Sequence, residues 1–162
     1  MLASGVILGV VAGLAVGRNW RPLAAAEIHW LPLLIAGLLA RAAAPVLPAI
    51  GFPLYLFALA TTAAGAAANI RLTGAFLVAL GGALNLLVVI LNHGMPVDPG
   101  ALATAAAAMP FDALHVPLGD STALRFLADV IPVSLAHAVY SAGDFCIAVG
   151  GFLVPFVLLI RR

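Results

Sequence analysis

Charged residues are scarce in this chain of 162 residues, and lysine is absent. Aspartate, glutamate and arginine together make up 8% of the sequence, whereas about a quarter of a typical soluble domain is charged. All seven basic residues are arginines and the formal net charge is +1, so the chain lacks the basic excess that binding to nucleic acid requires.

Cysteine and catalytic motifs are equally sparse. The single cysteine, Cys146, excludes an intrachain disulfide and a CxxC site. The sequence has no HExxH pair, no GxSxG elbow and no phosphate-binding loop, which leaves no catalytic residue to name and argues against an enzyme. No metal site is expected. The one alternative left open is an outer site that joins His93 and His115 to a nearby aspartate.

Apolar residues are abundant instead. They make up 65% of the chain, against about half of a soluble domain, which predicts an integral membrane protein. A bilayer crossing needs about 20 apolar residues, and lipid cannot satisfy unpaired backbone groups, so the crossings must be helical. We predict one all-α transmembrane domain with five spans and an outer segment of short interfacial helices. The spans are residues 2–17, 28–47, 51–70, 73–92 and 132–160, and the outer segment is 93–131.

The arginines predict the orientation. With five spans, the arginine-bearing junctions all fall on one side of the membrane, and basic residues favour the cytoplasmic side. The arginines of these junctions are Arg18, Arg21, Arg71, Arg161 and Arg162. We therefore expect a bacterial inner-membrane protein with its amino terminus outside and its carboxyl terminus in the cytoplasm. The outer segment is expected to hold two short helices, one from the Asp98-Pro99 cap to Met109 and one from Asp120 or Ser121 to Asp129.

Polar side chains inside a membrane are costly and usually face the interior of a bundle. Asn85 and Asn92 lie seven residues apart on the fourth span, and therefore on one face. His137, Ser141 and Asp144 are predicted to share a face of the fifth span. These amides can either join helices or line a ligand site.

A carboxylate within the membrane must be paired, protonated or hydrated. Arg41, on the second span, is predicted to lie at the depth of Asp144, so we expect either an ion pair or a shared water cavity. Structural and ligand-binding roles both remain open for this pair.

Several pieces of the second half resemble a bacterial family of multi-pass membrane proteins of unknown function. They are Asn69 with Gly74, Asn85, Asn92 with the Met95-Pro96-Val97 turn, His115, the run from Leu127 to Pro132, and Ser141 to Asp144 with Gly150. The resemblance implies that Asn92, the turn, Asp129, Ser141 and Asp144 form one outward-facing cluster. It implies no activity.

These features predict a small membrane protein that serves as a non-catalytic accessory subunit of a larger complex, of the electron-transfer or photosynthetic type. Its partners would be the bilayer and other membrane subunits. The alternative is a carrier, channel or binding protein for a quinone, a lipid head group or a small anion, held by the polar cluster. A lipid-modifying enzyme with Asp129 or Asp144 as base is a third hypothesis.

Overall fold

The computed structural model describes residues 1–17, 19–107 and 114–161. Helices carry most of the described chain, and short strands follow the fourth long helix. In chain order the elements are α1 (Leu2–Gly17), α2 (Arg21–Ala24), α3 (Leu31–Ala43), α4 (Gly51–Ala68), α5 (Ala75–Asn92), β1 (Met95–Val97), α6 (Pro99–Thr104), β2 (His115–Pro117), β3 (Ile131–Val133), β4 (Ala138–Tyr140) and α7 (Ala142–Ile160).

Three of these helices, α4, α5 and α7, are long and apolar enough to cross a membrane. The prediction of a mostly helical chain is therefore confirmed, and these three helices are consistent with a membrane location. Helices α1 and α3 are apolar but shorter, with 16 and 13 residues. At 1.5 Å per residue α3 extends about 20 Å, which is less than the roughly 30 Å of a hydrocarbon core. Helix length alone therefore supports three crossings.

The five longer helices pack in a row, in the order α1, α7, α5, α4, α3. Helix α1 runs parallel to α7, and its seam is made of glycines spaced four residues apart. A Cβ at Gly5 would clash with the carbonyl of Ala148, and one at Gly9 with the carbonyl of Phe152. Gly13 and Gly17 continue the seam down to Leu159. Only glycine lets two helix backbones approach so closely, as in small-residue membrane interfaces.

The junctions that carry arginine meet at one end of this bundle, which we call the arginine end. The Arg71 guanidinium donates to the carbonyl of Glu27, and that of Arg161 donates to the Thr73 hydroxyl at 3.2 Å. Arg21 begins α2, which packs against α7. Arg18 and Arg162 lie outside the described residues.

The opposite end, which we call the loop end, is built from residues 93–107 and 114–141, and here the sequence prediction was wrong in three places. The predicted fifth span begins ten residues too early, because 132–141 form an antiparallel hairpin of β3 and β4. The predicted helix from Asp120 or Ser121 is instead a single 3-10 turn, Arg125–Leu127. The Asp98 cap is correct, since its carboxylate accepts from the Gly100 amide, but α6 ends at Thr104. Met109 lies outside the described residues.

A parallel pair of β1 and β2 holds the rest of the loop end together. Met95 lies opposite His115, and Val97 opposite Pro117. Asp129 extends this pair by an isolated bridge to Val97, with its amide donating to the carbonyl of Pro96 at 2.9 Å. These backbone bonds fix residue 129 against the bundle, beneath a fully buried Val97.

Candidate functional site

Three of the predicted polar residues form a closed ring of hydrogen bonds where α5 meets the start of α7. Ser141 is the N-cap of α7: its hydroxyl accepts from the Asp144 amide at 3.0 Å, and the Asp144 carboxylate accepts from the Ser141 amide at 3.3 Å. The Ser141 hydroxyl also donates to Asn85 Oδ1 at 2.9 Å, and Asn85 Nδ2 donates to Asp144 Oδ1 at 3.1 Å.

This ring is a reciprocal capping box that a neighbouring helix has joined. It places the Asp144 carboxylate at the N-terminus of α7, where the helix dipole and two hydrogen bonds stabilise negative charge. Asn85 and Ser141 are almost fully buried, so their polar groups are satisfied by the ring instead of by water. The prediction that His137, Ser141 and Asp144 share one helical face was wrong, because α7 begins only at Ala142 and His137 follows a 3-10 turn.

A cavity of about 730 Å³ lies beside the ring, toward the loop end of the bundle. Five of the seven predicted polar residues line it, which are Arg41, Asn85, Asp129, His137 and Asp144. Its remaining walls are largely apolar and come mainly from α1, α3, α4 and β4. Binding cavities for small molecules typically have such volumes, with apolar walls and a few convergent polar groups.

Asp129 is the polar group in this cavity with an unmet hydrogen-bonding need. Its side chain is 6% exposed, and within the described part of the chain its Oδ1 atom has no hydrogen-bond partner. Burial, with the neighbouring Asp144 charge, raises the pKa of Asp129 to about 8, although Arg41 acts in the opposite direction. At neutral pH this carboxyl is therefore mostly protonated and can donate a hydrogen bond.

Arg41 also lines the cavity, from the last turn of α3. Among the described residues it forms no ion pair with Asp144, so the paired alternative is wrong, whereas the shared cavity is what the structure shows. The guanidinium instead packs over the ring of Tyr55, with its carbon 4.9 Å from the ring centroid. A cation above an aromatic face is stabilised there by the ring's negative face.

Two predicted residues do not line the cavity. Ser141 acts through the ring, and Asn92 acts as a clamp at the end of α5. The Asn92 side chain donates to the carbonyl of Ala123 and accepts from the amide of Ala123, at 3.1 and 2.8 Å. These bonds hold the 3-10 turn region onto α5, so the geometry gives Asn92 a structural role.

Sequence reasoning missed three aromatic residues of the cavity: Tyr55, Tyr140 and His115. Tyr140 ends β4 and was assigned to a helix. His115 was considered as a metal ligand and as part of the family resemblance, but not as part of the polar cluster. The described residues hold no group of three or more histidine, cysteine or acidic side chains placed to bind a metal.

Residues 25–156 match a family model described as Family of unknown function (DUF5317). This agrees with the resemblance to an uncharacterised family, without testing its individual motifs. The match includes α3 to α6 and most of α7, and it leaves out α1. No curated protein and no solved structure matches the chain.

Proposed function

We propose that this chain, which belongs to the DUF5317 family of unknown function, binds a neutral amphipathic molecule of the quinone type in its cavity. The observation that carries the proposal is the buried Asp129 carboxyl with its unpartnered Oδ1, on the wall of a 730 Å³ cavity. A buried polar atom without a partner is rare in proteins, and a ligand would supply the missing hydrogen bond.

The charges at the cavity favour a neutral head group. Arg41 brings one positive charge and Asp144 one negative charge, while Asp129 is mostly neutral near pH 7 because of its raised pKa. No net positive charge therefore remains to attract a small anion or a phosphate head group. A small anion would also leave most of the volume and the apolar walls unused.

The polar groups suit a ring that carries oxygens at both ends. The Arg41 guanidinium and the protonated Asp129 carboxyl donate hydrogen bonds, as the carbonyl oxygens of a quinone require. Asp144 accepts, as the hydroxyl of the reduced ring requires. Tyr55 and Tyr140 add aromatic surface to the lining of the cavity. The proposal is for binding or carriage of the molecule.

The membrane arrangement is part of the proposal. Because α1 and α7 run parallel and Arg21, Arg71 and Arg161 lie at one end, we propose five crossings with the arginine end in the cytoplasm and the cavity near the outer face. Complementary reporter fusions at residue 161, active either inside or outside, test the orientation. The accessory-subunit hypothesis stays a prediction, and protein partners in stoichiometric amounts after gentle purification would support it.

The direct test is equilibrium binding of 2,3-dimethoxy-5-methyl-6-decylbenzoquinone to the purified protein in dodecyl maltoside. We expect saturable binding at one site, weakened about tenfold or more by Arg41→Leu, because a hydrogen bond to a charged group contributes about 1.5–3 kcal/mol. Arg125→Leu is the matched control, since Arg125 lies on the exposed 3-10 turn and does not line the cavity. Binding that is unsaturable, or equally affected by both variants, would rule the proposal out.

A further inference from the structure

A second, smaller cavity continues from the first toward the arginine end. It has a volume of about 150 Å³, and it shares Leu2, Leu34 and Thr62 with the larger cavity. Its other walls are apolar side chains and glycines of α1, α4, α5 and α7. We call this space the crevice. The larger cavity, which we call the chamber, holds the polar groups at the loop end, and the crevice extends it along the helices with apolar walls.

The polar side chains of the crevice have no need of a ligand. The Thr62 hydroxyl donates to the carbonyl of Ala58 in its own helix at 2.8 Å. Asn69 closes the far end: its Oδ1 accepts from the His29 amide, and its Nδ2 donates to the carbonyls of His29 and Gly65. Both amide hydrogens and the acceptor are thus occupied, so the crevice offers an apolar guest no uncompensated polar group.

The crevice is bordered by two helices that are not packed side by side. Helices α1 and α3 are the two ends of the packed row, one held by α7 and the other by α4, yet Leu2 and Leu34 line the same space. A molecule dissolved in the bilayer can therefore reach the chamber from the side, between α1 and α3. A water-soluble ligand without apolar groups would gain no binding energy from the apolar walls of the crevice.

We infer that the ligand carries a single hydrocarbon tail, which occupies the crevice while the head group lies in the chamber. This inference rests on the proposed function and narrows its ligand class to single-tailed, membrane-dissolved molecules. The small volume of the crevice suits one chain better than the paired chains of a diacyl lipid. Burial of methylene groups would then add affinity that the head group alone does not provide.

The test compares two probes, 2,3-dimethoxy-5-methylbenzoquinone without a tail and the same ring with a decyl tail. We expect the tailed probe to bind at least about tenfold more tightly, after correction for its partition into detergent. Ala66→Phe, which places a ring in the crevice, should reduce that ratio to near one. Ala64→Phe on the exposed side of the same helix is the matched control and should leave the ratio unchanged.

The outcomes separate the two proposals. The tail inference is wrong, and the head-group site stands, if the unmodified protein binds the tailless and tailed probes with nearly equal affinity. The same holds if Ala66→Phe and Ala64→Phe both keep the affinity ratio of the unmodified protein. If neither probe binds the unmodified protein, the proposed function fails, and the tail inference fails with it.

A second measurement does not depend on a folded variant. A tailed probe with a diazirine at the end of its chain should label Leu72 or Val154 of the crevice in the unmodified protein. Labelling confined to the outward-facing Phe57 and Phe76 would overturn the inference.

Discussion

Replacing Asp129 by asparagine tests the central feature of the site, a carboxyl that stays protonated because it is buried. Asparagine keeps the shape and the donor of the neutral acid but cannot ionise. In the native protein the pKa of Asp129 is about 8, against 3.8 for the unperturbed side chain. The unfolded chain therefore loses this proton at a much lower pH than the folded chain does.

The magnitude follows from proton linkage. Below pH 4 both states are protonated, and Asp129 leaves stability independent of pH. Between pH 4 and pH 8 the folded state binds more protons than the unfolded state, so the free energy of unfolding falls by about 1.4 kcal/mol per pH unit. From pH 4 to pH 7 the loss is about 4 kcal/mol, an upper value because water in the cavity would lower the pKa.

The assay is reversible unfolding in mixed micelles of dodecyl maltoside and dodecyl sulfate, followed by circular dichroism at several pH values. We expect the stability difference between Asp129→Asn and the unmodified protein to grow in favour of the variant as the pH rises from 4 to 7. Asp120→Asn is the matched control, because Asp120 is fully exposed, and its exposed ion pair with Arg125 at 3.8 Å contributes little to stability.

Infrared spectroscopy gives a direct reading of the same proton. A carbonyl band of a protonated carboxylic acid should be present at pH 7 and absent in Asp129→Asn. Parallel stability curves for the two proteins, together with no such band, would refute the reasoning, because Asp129 would then be ionised in the folded state and the cavity would be well hydrated.

Three further predictions concern the framework of the site. Asn92→Ala removes both bonds to Ala123 and should lower the free energy of unfolding by about 2 kcal/mol, measured by the same unfolding assay. Ser141→Ala removes the α7 cap and one bond of the ring, and should cost about 2 kcal/mol and weaken binding of the tailed probe. Gly9→Leu should push α1 away from the Phe152 carbonyl, with a cost of about 1–3 kcal/mol visible as a lower Tm.

For each of these variants, one result would contradict the prediction. An unchanged stability for Asn92→Ala would mean that water replaces the clamp. Full probe binding by Ser141→Ala would mean that Asp144 holds its position without the ring. A Tm for Gly9→Leu equal to that of Val11→Leu, a change on the exposed face of the same helix, would mean that α1 does not depend on the glycine seam.

Hydropathy predicted the helices well where apolar residues and helix coincide, as in α4 and α5, whose predicted ends lie within two residues of the observed ones. It failed at residues 132–141, because an apolar hairpin and an apolar helix contain the same kinds of residue. The local signal was the capping box of Ser141 and Asp144, which starts a helix at Ala142.

The contacts of the site were predictable only in part. Asn85 and Asp144 were chosen because polar groups in a membrane need partners, yet the partner expected for Asp144 was Arg41. A hydrogen-bonded ring satisfies the carboxylate instead, and Arg41 packs on Tyr55. Which partner meets a polar group depends on side-chain positions across helices, and spacing along the chain does not contain them.

The parallel pairing of α1 with α7 has a consequence for biosynthesis. The ribosome completes α1 long before α7, since α1 ends at Gly17 and α7 starts at Ala142. Until α7 emerges, the glycine face of α1 has no partner in the lipid, and the contact across so long a loop forms late. The seam between α1 and α7 would then be the last helix contact of the bundle to form, so the cavity that α1 helps to line is complete only after α7 has been inserted.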